Sequence, residues 1–255
     1  MKATFHKYQA AGNDFVIIDN RNNQFPKTPE IIQRICDRKF GVGADGLILI
    51  EPSKTGLFEM IYYNPDATQS LCGNGCRAAI RFAESLDIAL ETTQFNAYDG
   101  IHRAVIKGHT IDLEMADVQN GREMEGGIFL DTGSPHFILF VKNAEEVDVV
   151  GVGRKWRYSG LFGDAGANIN FVEIKDNSKI YVRTYERGVE NETLSCGTGV
   201  TASALASSAY GCNSPLKVET KGGSLTVRFQ REKQGFKKVW LEGPAEHVFS
   251  GTIDL

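Results

Sequence analysis

The chain has 255 residues, 42% of them hydrophobic and 24% charged, with a formal net charge of −4. That length and mixture suit a soluble protein with one large or two smaller cores, and the mild acidity, with no Lys/Arg cluster, argues against a nucleic-acid partner. The N-terminus, Met1-Lys2-Ala3-Thr4-Phe5-His6-Lys7, lacks the apolar stretch of a signal peptide, and the longest apolar runs, such as Phe137-Ile138-Leu139-Phe140-Val141, are of strand length, so neither secretion nor membrane insertion is expected.

Short β-branched or aromatic runs bounded by Gly, Asn and Asp predict strands. In chain order the reading is strands at Thr4–Tyr8 and Phe15–Asp19, a helix at Pro29–Asp37, strands at Leu47–Glu51 and Phe58–Tyr63, and a helix at Cys76–Ser85. Strands at Ala104–Lys107 and Thr110–Met115 then lead into a polar, Gly-bearing linker over Asp117–Gly127. Strands at His136–Val141, Ile169–Ile174 and Lys179–Thr184 follow, then a helix at Val200–Tyr210 and strands at Leu225–Phe229 and Lys238–Glu242. The last helix is rich in Ala and Ser, side chains small enough for strands to enclose it closely, and Gly211 stands where a left-handed C′ residue would end it.

The elements fall into two similar halves. Gly12-Asn13-Asp14-Phe15 opens the first and Gly133-Ser134-Pro135-His136 the second, 121 positions on; Cys72-Gly73-Asn74-Gly75 is echoed by Cys196-Gly197-Thr198-Gly199, 124 positions on. Leu90-Glu91-Thr92 with Gly100 is aligned with Val218-Glu219-Thr220 and Gly222-Gly223. Landmarks in the same order indicate a duplicated unit. The expected division is residues 1–120 carrying Cys72 and 121–255 carrying Cys196, with the last few residues free to return to the first domain.

Each Cys-Gly-x-Gly runs into a helix. A thiol there faces unpaired backbone N–H groups and the positive end of the dipole, which favour thiolate, and the glycines let N–H groups approach a carboxylate. With a carboxylate so held, the proton on its neighbouring carbon is easier to remove. One thiolate takes it from one face while the opposing thiol delivers another to the other face, inverting the carbon with no cofactor. Read singly, each cysteine is as well explained as a small buried residue. The five cysteines, at 36, 72, 76, 196 and 212, make a poor disulfide framework and fit a reducing cytoplasm.

The motifs resemble those of diaminopimelate epimerases. Cys72-Gly73-Asn74-Gly75-Cys76-Arg77 is similar to the family's first cysteine signature, and Tyr185-Glu186-Arg187-Gly188 followed by Glu192-Thr193-Leu194-Ser195-Cys196-Gly197-Thr198-Gly199 to its second. Lys7–Phe15, Gly41–Leu47, Tyr63-Asn64-Pro65-Asp66, Gly133-Ser134-Pro135-His136 and Asn168-Ile169-Asn170-Phe171 follow the family in order over the whole chain. The resemblance implies an α+β fold of two pseudo-symmetric domains, each a β-barrel-like sheet around a central helix, with the site in the cleft between them. It implies a pyridoxal-phosphate-independent isomerase that interconverts LL- and meso-diaminopimelate for lysine and cell-wall synthesis.

Carried over by motif, Cys72 and Cys196 are the two acid/base residues, and Gly73, Asn74, Gly197 and Thr198 donate to the reacting carboxylate. Asn13, Asn64, Asn168, Glu186 and Arg187 bind the polar groups of the distal centre, and His136 helps set thiol protonation. No metal, cofactor, nucleic acid or membrane is implied; the partner is the small-molecule substrate, and a homodimer stays open. Read without the family, each Asn fits a turn residue equally well, and Glu186-Arg187 fits a solvated pair. Departures lie beside the cysteines: Ala67 where Gly is usual, Gln69 for Glu, Ser134 for Asn, Gly46 for a Gln of some members, and Cys76 for Ala or Ser. A proline or hydroxyproline racemase is the nearest alternative and a non-catalytic binding protein of the same fold a distant one. A zinc site would need ligands that the lone C-x3-C does not supply, and a thiol–disulfide oxidoreductase would need a C-x-x-C that the chain lacks.

Overall fold

The computed structural model describes residues 2–255, which form two units: 2–113 with 243–255, and Glu114–Glu242. In chain order the first unit holds β1 (Lys2–Ala10), β2 (Asn13–Asp19), α1 (Pro29–Cys36), β3 (Gly46–Glu51), β4 (Glu59–Tyr63), α2 (Gly73–Ser85), β5 (Thr92–Ala97), β6 (Gly100–Lys107) and most of β7 (Thr110–Glu114). The second holds β8 (Val118–Gln119), β9 (Arg122–Met124), β10 (Gly127–Asp131), β11 (Pro135–Phe140), α3 (Val149–Arg157), β12 (Asn168–Asp176), β13 (Lys179–Glu186), β14 (Asn191–Thr193), α4 (Gly197–Ser207), β15 (Leu216–Thr220), β16 (Gly223–Glu232) and most of β17 (Gly235–Pro244). The last strand, β18 (Glu246–Asp254), pairs antiparallel with β1 and so belongs to the first unit.

Strand senses expose the duplication. From β1 to β7 successive pairs run antiparallel, parallel, antiparallel, parallel, antiparallel, antiparallel. From β10 through β11, β12, β13, β15 and β16 to β17 the same series recurs. Helices α1 and α3 fill the first crossover of each unit, and α2 and α4 the second. One landmark moves: the hairpin pair Ala97↔Gly100 corresponds to Thr220↔Gly223, so the counterpart of Val218-Glu219-Thr220 is Phe95-Asn96-Ala97 and not Leu90-Glu91-Thr92. The expected linker over Asp117–Gly127 is also corrected. It carries β8 and β9, which pair with β17 and β10 inside the second unit, and the unit boundary falls between Leu113 and Glu114.

Each central helix is wrapped by strands of its own unit. Strands β2 and β3 are buried almost throughout: Val16, Ile18, Leu47 and Leu49 pack with Ile32 and Ile35 of α1, while Ile48 faces α2 at Gly75. Two-sided burial explains the unbroken apolar runs. In the second unit Phe137, Leu139, Ile169 and Phe171 pack towards α3, and their neighbours His136 and Asn170 face Gly199 of α4. Nearly every residue of α4 is buried, and two of its hydroxyls turn back on the helix, Thr201 Oγ1 donating to Gly197 O at 3.0 Å and Ser207 Oγ to Ser203 O at 2.7 Å. Helix α4 gives way to one 3-10 turn, and Gly211 at φ +87° ends it. Among the described residues no helix is long and apolar enough to cross a membrane.

Arg183 on β13 ties the second unit together. Nε and Nη2 donate to the Glu192 carboxylate at 2.6 and 2.8 Å, and Nη1 donates to the carbonyls of Ala144, Glu145 and Val147. Removing Arg183 takes the donor from three carbonyls and leaves Glu192 with only Lys221, 2.9 Å away and partly exposed. The Arg183→Met variant is expected to lose about 3 kcal/mol of unfolding free energy, read as a lower urea midpoint at unchanged m; a loss below about 1 kcal/mol, the range of a surface ion pair, would contradict this role.

Candidate active site

In the first unit Cys72 is the N-cap of α2, in extended conformation, and its sulfur accepts from Gly75 N at 3.4 Å. A tight hairpin sets the residue opposite. Ala11 and Gly12 both have positive φ, +51° and +81°, as a type I′ turn between β1 and β2 requires, and the turn places Asn13 at the head of β2. Asn13 Nδ2 donates to Asp45 Oδ2 at 2.5 Å. Because a carboxylate only accepts, the other end of the amide, Oδ1, is turned towards Cys72 Sγ (3.6 Å) and Asn74 Nδ2 (3.4 Å), both of which donate to it.

Behind Asn13 lies an ion network. Arg38 donates to Asp45 Oδ1 at 2.7 Å and to both oxygens of Asp14 at 3.0 and 2.7 Å; Lys7 pairs with Asp14 at 2.6 Å and donates to the Gly43 carbonyl. Burial acts to raise the Asp14 pKa, but hydrogen bonds and charge from Arg38 and Lys7 outweigh it and hold this carboxyl well below the usual carboxylate range.

Asn64 spends its amide locally: Nδ2 donates to Thr68 Oγ1 at 3.0 Å and Ser70 Oγ at 3.2 Å, bracing its own turn. In that turn Ala67 sits at φ +69°, a left-handed conformation that glycine adopts more easily, and Gln69 forms a β-bridge to Tyr63. At Gly46 a Cβ would stand 2.3 Å from the Tyr62 ring, so this chain has no room for a side chain there. Cys76 is buried, and burial pushes its thiol well above the ordinary range. It is a packing residue.

In the second unit Cys196 is the N-cap of α4 and its sulfur lies 3.5 Å from Thr198 Oγ1. The same hydroxyl is 2.9 Å from His136 Nε2, and Thr132 Oγ1 donates to Thr198 O at 2.9 Å. His136 is fully buried; burial first, then the nearby Arg187 charge, lowers its pKa to about 3, so the ring is neutral at physiological pH. Asn170 fixes the tautomer. Its Oδ1 accepts from Thr184 Oγ1 at 2.9 Å and its Nδ2 points at the Phe137 carbonyl and at His136 Nδ1, 3.0 Å away. With Nδ1 accepting, the proton is on Nε2, which donates to Thr198 and frees the Thr198 hydroxyl proton for the sulfur.

Asn168 Nδ2 donates to Ser134 Oγ at 2.9 Å and Pro135 O at 3.1 Å, and its Oδ1 accepts from Arg187 N at 2.8 Å, so it joins the Ser134 loop to the Arg187 backbone. Arg187 Nη1 donates to Ala165 O at 3.3 Å, and Glu186 accepts from Thr193 Oγ1 at 2.8 Å.

Within the first unit the structure thus brings together Cys72, Asn13, Asn74 and the start of α2, with Asn64 held in its turn. Within the second it brings together Cys196, Thr198 and His136, with Asn168 and Arg187 linked beside them. The glycines of the two motifs differ in the space around them. Gly75 and Gly199 serve packing: their absent Cβ atoms would meet Met60 Cε at 3.2 Å and Asn170 Oδ1 at 2.5 Å, respectively, whereas Gly73 has nothing closer than Leu113 at 3.9 Å. Sequence reasoning missed Asp45, Arg77, Asn170 and Thr184. For Asn170 a signal was present, since two positions along a strand from Asn168 it shares that residue's face.

Asp14 ties the hairpin to stability. Because the folded state holds its carboxyl deprotonated to lower pH than the unfolded chain, whose carboxyl titrates near about 3.9, its contribution is complete above that value and is lost as pH falls below it. Asp14→Asn is expected to lower the melting temperature at pH 7, with the gap to wild type narrowing between pH 4 and pH 2.5. A gap that is constant with pH would contradict the assignment.

Residues 5–119 and 128–248 match the family Diaminopimelate epimerase. A diaminopimelate epimerase of Flavobacterium psychrophilum is 48% identical over 253 residues, covering 97% of this chain and 99% of the relative. One of Aquifex aeolicus is 36% identical over 98% of this chain and 97% of its own. Among solved structures, a Bacillus anthracis phenazine biosynthesis protein of the PhzF family superposes with a TM-score of 0.75 at 18% identity, each chain fully covered. A hydroxyproline epimerase from Agrobacterium vitis gives 0.71 at 13%, covering 99% of this chain and 92% of that one. These two share the fold. Two matched segments that carry both cysteine motifs, and identity sustained over nearly the whole chain, place this protein in the diaminopimelate epimerase family.

Proposed function

We propose that this protein interconverts LL- and meso-diaminopimelate by proton transfer between two cysteines, Cys72 and Cys196, without pyridoxal phosphate. The observation that carries the reading is that each sulfur belongs to the N-cap of the central helix at the same point of the duplicated topology. In one direction a cysteine thiolate takes the α-proton, breaking C–H and forming S–H. The resulting carbanion spreads its charge into the adjacent carboxylate, where the N–H groups of Gly73, Asn74, Gly197 and Thr198 stabilise it. The other cysteine thiol then gives its proton to the opposite face and is left as thiolate. After one turnover the two sulfurs have exchanged states, and the enzyme is set for the reverse reaction.

The substrate carries an ammonium and a carboxylate at each end. For the distal centre Arg187 supplies a cation for carboxylate, Glu186 an acceptor for ammonium, and Asn13, Asn64 and Asn168 amides for the remaining polar groups. His136, neutral and donating through Thr198, supports the Cys196 thiolate as a hydrogen-bond donor and not as a base. The reading goes with a cytoplasmic enzyme acting on a small molecule, with no nucleic-acid partner, in keeping with the weak net charge.

The test is α-proton exchange in D2O, run on reduced protein with no added cofactor, over diaminopimelate, proline and hydroxyproline. Deuterium is expected in diaminopimelate alone, and Cys72→Ala and Cys196→Ala are each expected to lower kcat by about 10³-fold, within the range for lost general acid–base groups. Exchange in proline or hydroxyproline but not in diaminopimelate would overturn the substrate, and substantial turnover in either variant would overturn the two-thiol scheme.

A further inference from the structure

Arg77 is a side chain the reaction as described does not use. It sits one turn into α2, is 0% exposed, and has no carboxylate partner among the described residues. Nη2 donates to Asn74 Oδ1 at 2.6 Å, Nη1 reaches only the Gly73 carbonyl at 3.5 Å, and the buried Nε has no hydrogen-bond partner. A buried cation with so little compensation is costly, and a structural need at this place would be met more cheaply by an apolar side chain. Burial lowers its pKa to about 10, so it is charged at neutral pH, and the ionisable groups its charge acts on are two thiols, Cys72 and Cys76. Cys76 is held as a thiol by burial. That leaves Cys72.

The contacts lead the same way. Arginine only donates, so Asn74 must turn Oδ1 to Arg77 and Nδ2 to Asn13, whose Oδ1 also faces Cys72 Sγ. The other charges around this part of the unit are already paired: Asp45, Arg38, Asp14 and Lys7 with one another, and Arg81 with Glu84 towards the far end of α2, while Asp99 acts on Cys76.

We propose that Arg77 is a positioning residue for Cys72, its buried charge holding the sulfur as thiolate and its hydrogen bond aiming Asn74. Asn13 Oδ1 accommodates the thiol form, and Gly75 N with the Arg77 charge accommodates the thiolate, as a group that alternates between acid and base requires. The use of arginine follows, since a lysine buried to this depth would lose its proton near neutral pH.

This rests on Cys72 being a proton-transfer group, but its test needs no substrate and so fails separately from that reading. Reduced protein is pulsed with iodoacetamide between pH 5 and 10, and alkylation of Cys72 and Cys196 is followed peptide by peptide. In wild type the Cys72 midpoint is expected at least one unit below the free-cysteine value of about 8.5. In Arg77→Met, and in Arg77→Gln, it is expected to rise by one unit or more, a tenfold loss of thiolate below the midpoint, with the Cys196 midpoint unmoved and Arg77→Lys intermediate. A wild-type Cys72 midpoint at or above 8.5 overturns the proposal even if no variant folds. So does a folded neutral variant whose Cys72 midpoint is unchanged, or moves together with that of Cys196, as a merely structural role would give.

Discussion

The rest of the structure depends on a sulfur atom set at the start of an enclosed helix. A helix N-terminus leaves N–H groups without intrahelical partners, ready to meet an anion. Placing cysteine at the N-cap, followed by glycine, turns that local deficit into a site that welcomes negative charge. Both helices are rich in buried small residues that let strands lie close, Gly75, Ala78, Ala79 and Ala83 in α2 and Gly199, Ala202, Ser203 and Ala206 in α4, while Phe82 of α2 packs against His6 and Tyr8 of β1. Gly75 and Gly199 are fixed by that same closeness, through Met60 and Asn170.

Duplication supplied two such sulfurs, and the neighbours made them different. At Cys72 the surroundings are charged and anchored to a hairpin: Asn13 is oriented by Asp45, Asp45 by Arg38, and Arg38 and Lys7 by Asp14. Beside Cys196 stand the uncharged Thr198 hydroxyl and His136 ring, the latter within reach of the Arg187 charge. A buried imidazole whose tautomer is set by Asn170 and Thr184 donates to Thr198. In both places every amide orientation is forced by a partner that can only accept or only donate, so the polar shell is specified and not merely crowded. Epimerisation asks each sulfur to exist both as thiol and as thiolate, and two differently tuned surroundings are a means of balancing the pair.

Much of this was legible in the residues. The β-branched runs and their Gly and Asn boundaries mark the strands that carry Asn13, His136 and Asn168, and the paired Cys-Gly-x-Gly marks both helix starts. What escaped did so for physical reasons. Helix α3 contains two glycines and three valines, poor helix formers, and is made possible by the Asp148 cap and by Gly153, where a Cβ would stand 2.5 Å from that of Tyr185. Strand β18 is largely exposed and polar and is recruited by pairing with β1, a partner more than two hundred residues away in sequence. The repeat landmark at Leu90–Thr92 slipped because similar turn-rich residues recur a few positions apart, and only the hairpin register fixes the equivalence. The supporting residues Asp45, Arg77 and Thr184 carry no spacing signal: their importance comes from orienting another side chain, which is a property of the folded geometry.

The most direct test of the central claim, that one sulfur removes the proton and a different one returns it, is the position of label early in the reaction in D2O. LL-diaminopimelate is incubated with the enzyme and quenched after a small fraction has converted, and product and residual substrate are analysed separately for α-deuterium. The expected result is meso product carrying one deuterium at the inverted carbon while recovered LL substrate is still protiated. Equal labelling of recovered substrate and product, or product that keeps the original α-proton, would contradict the two-sulfur account.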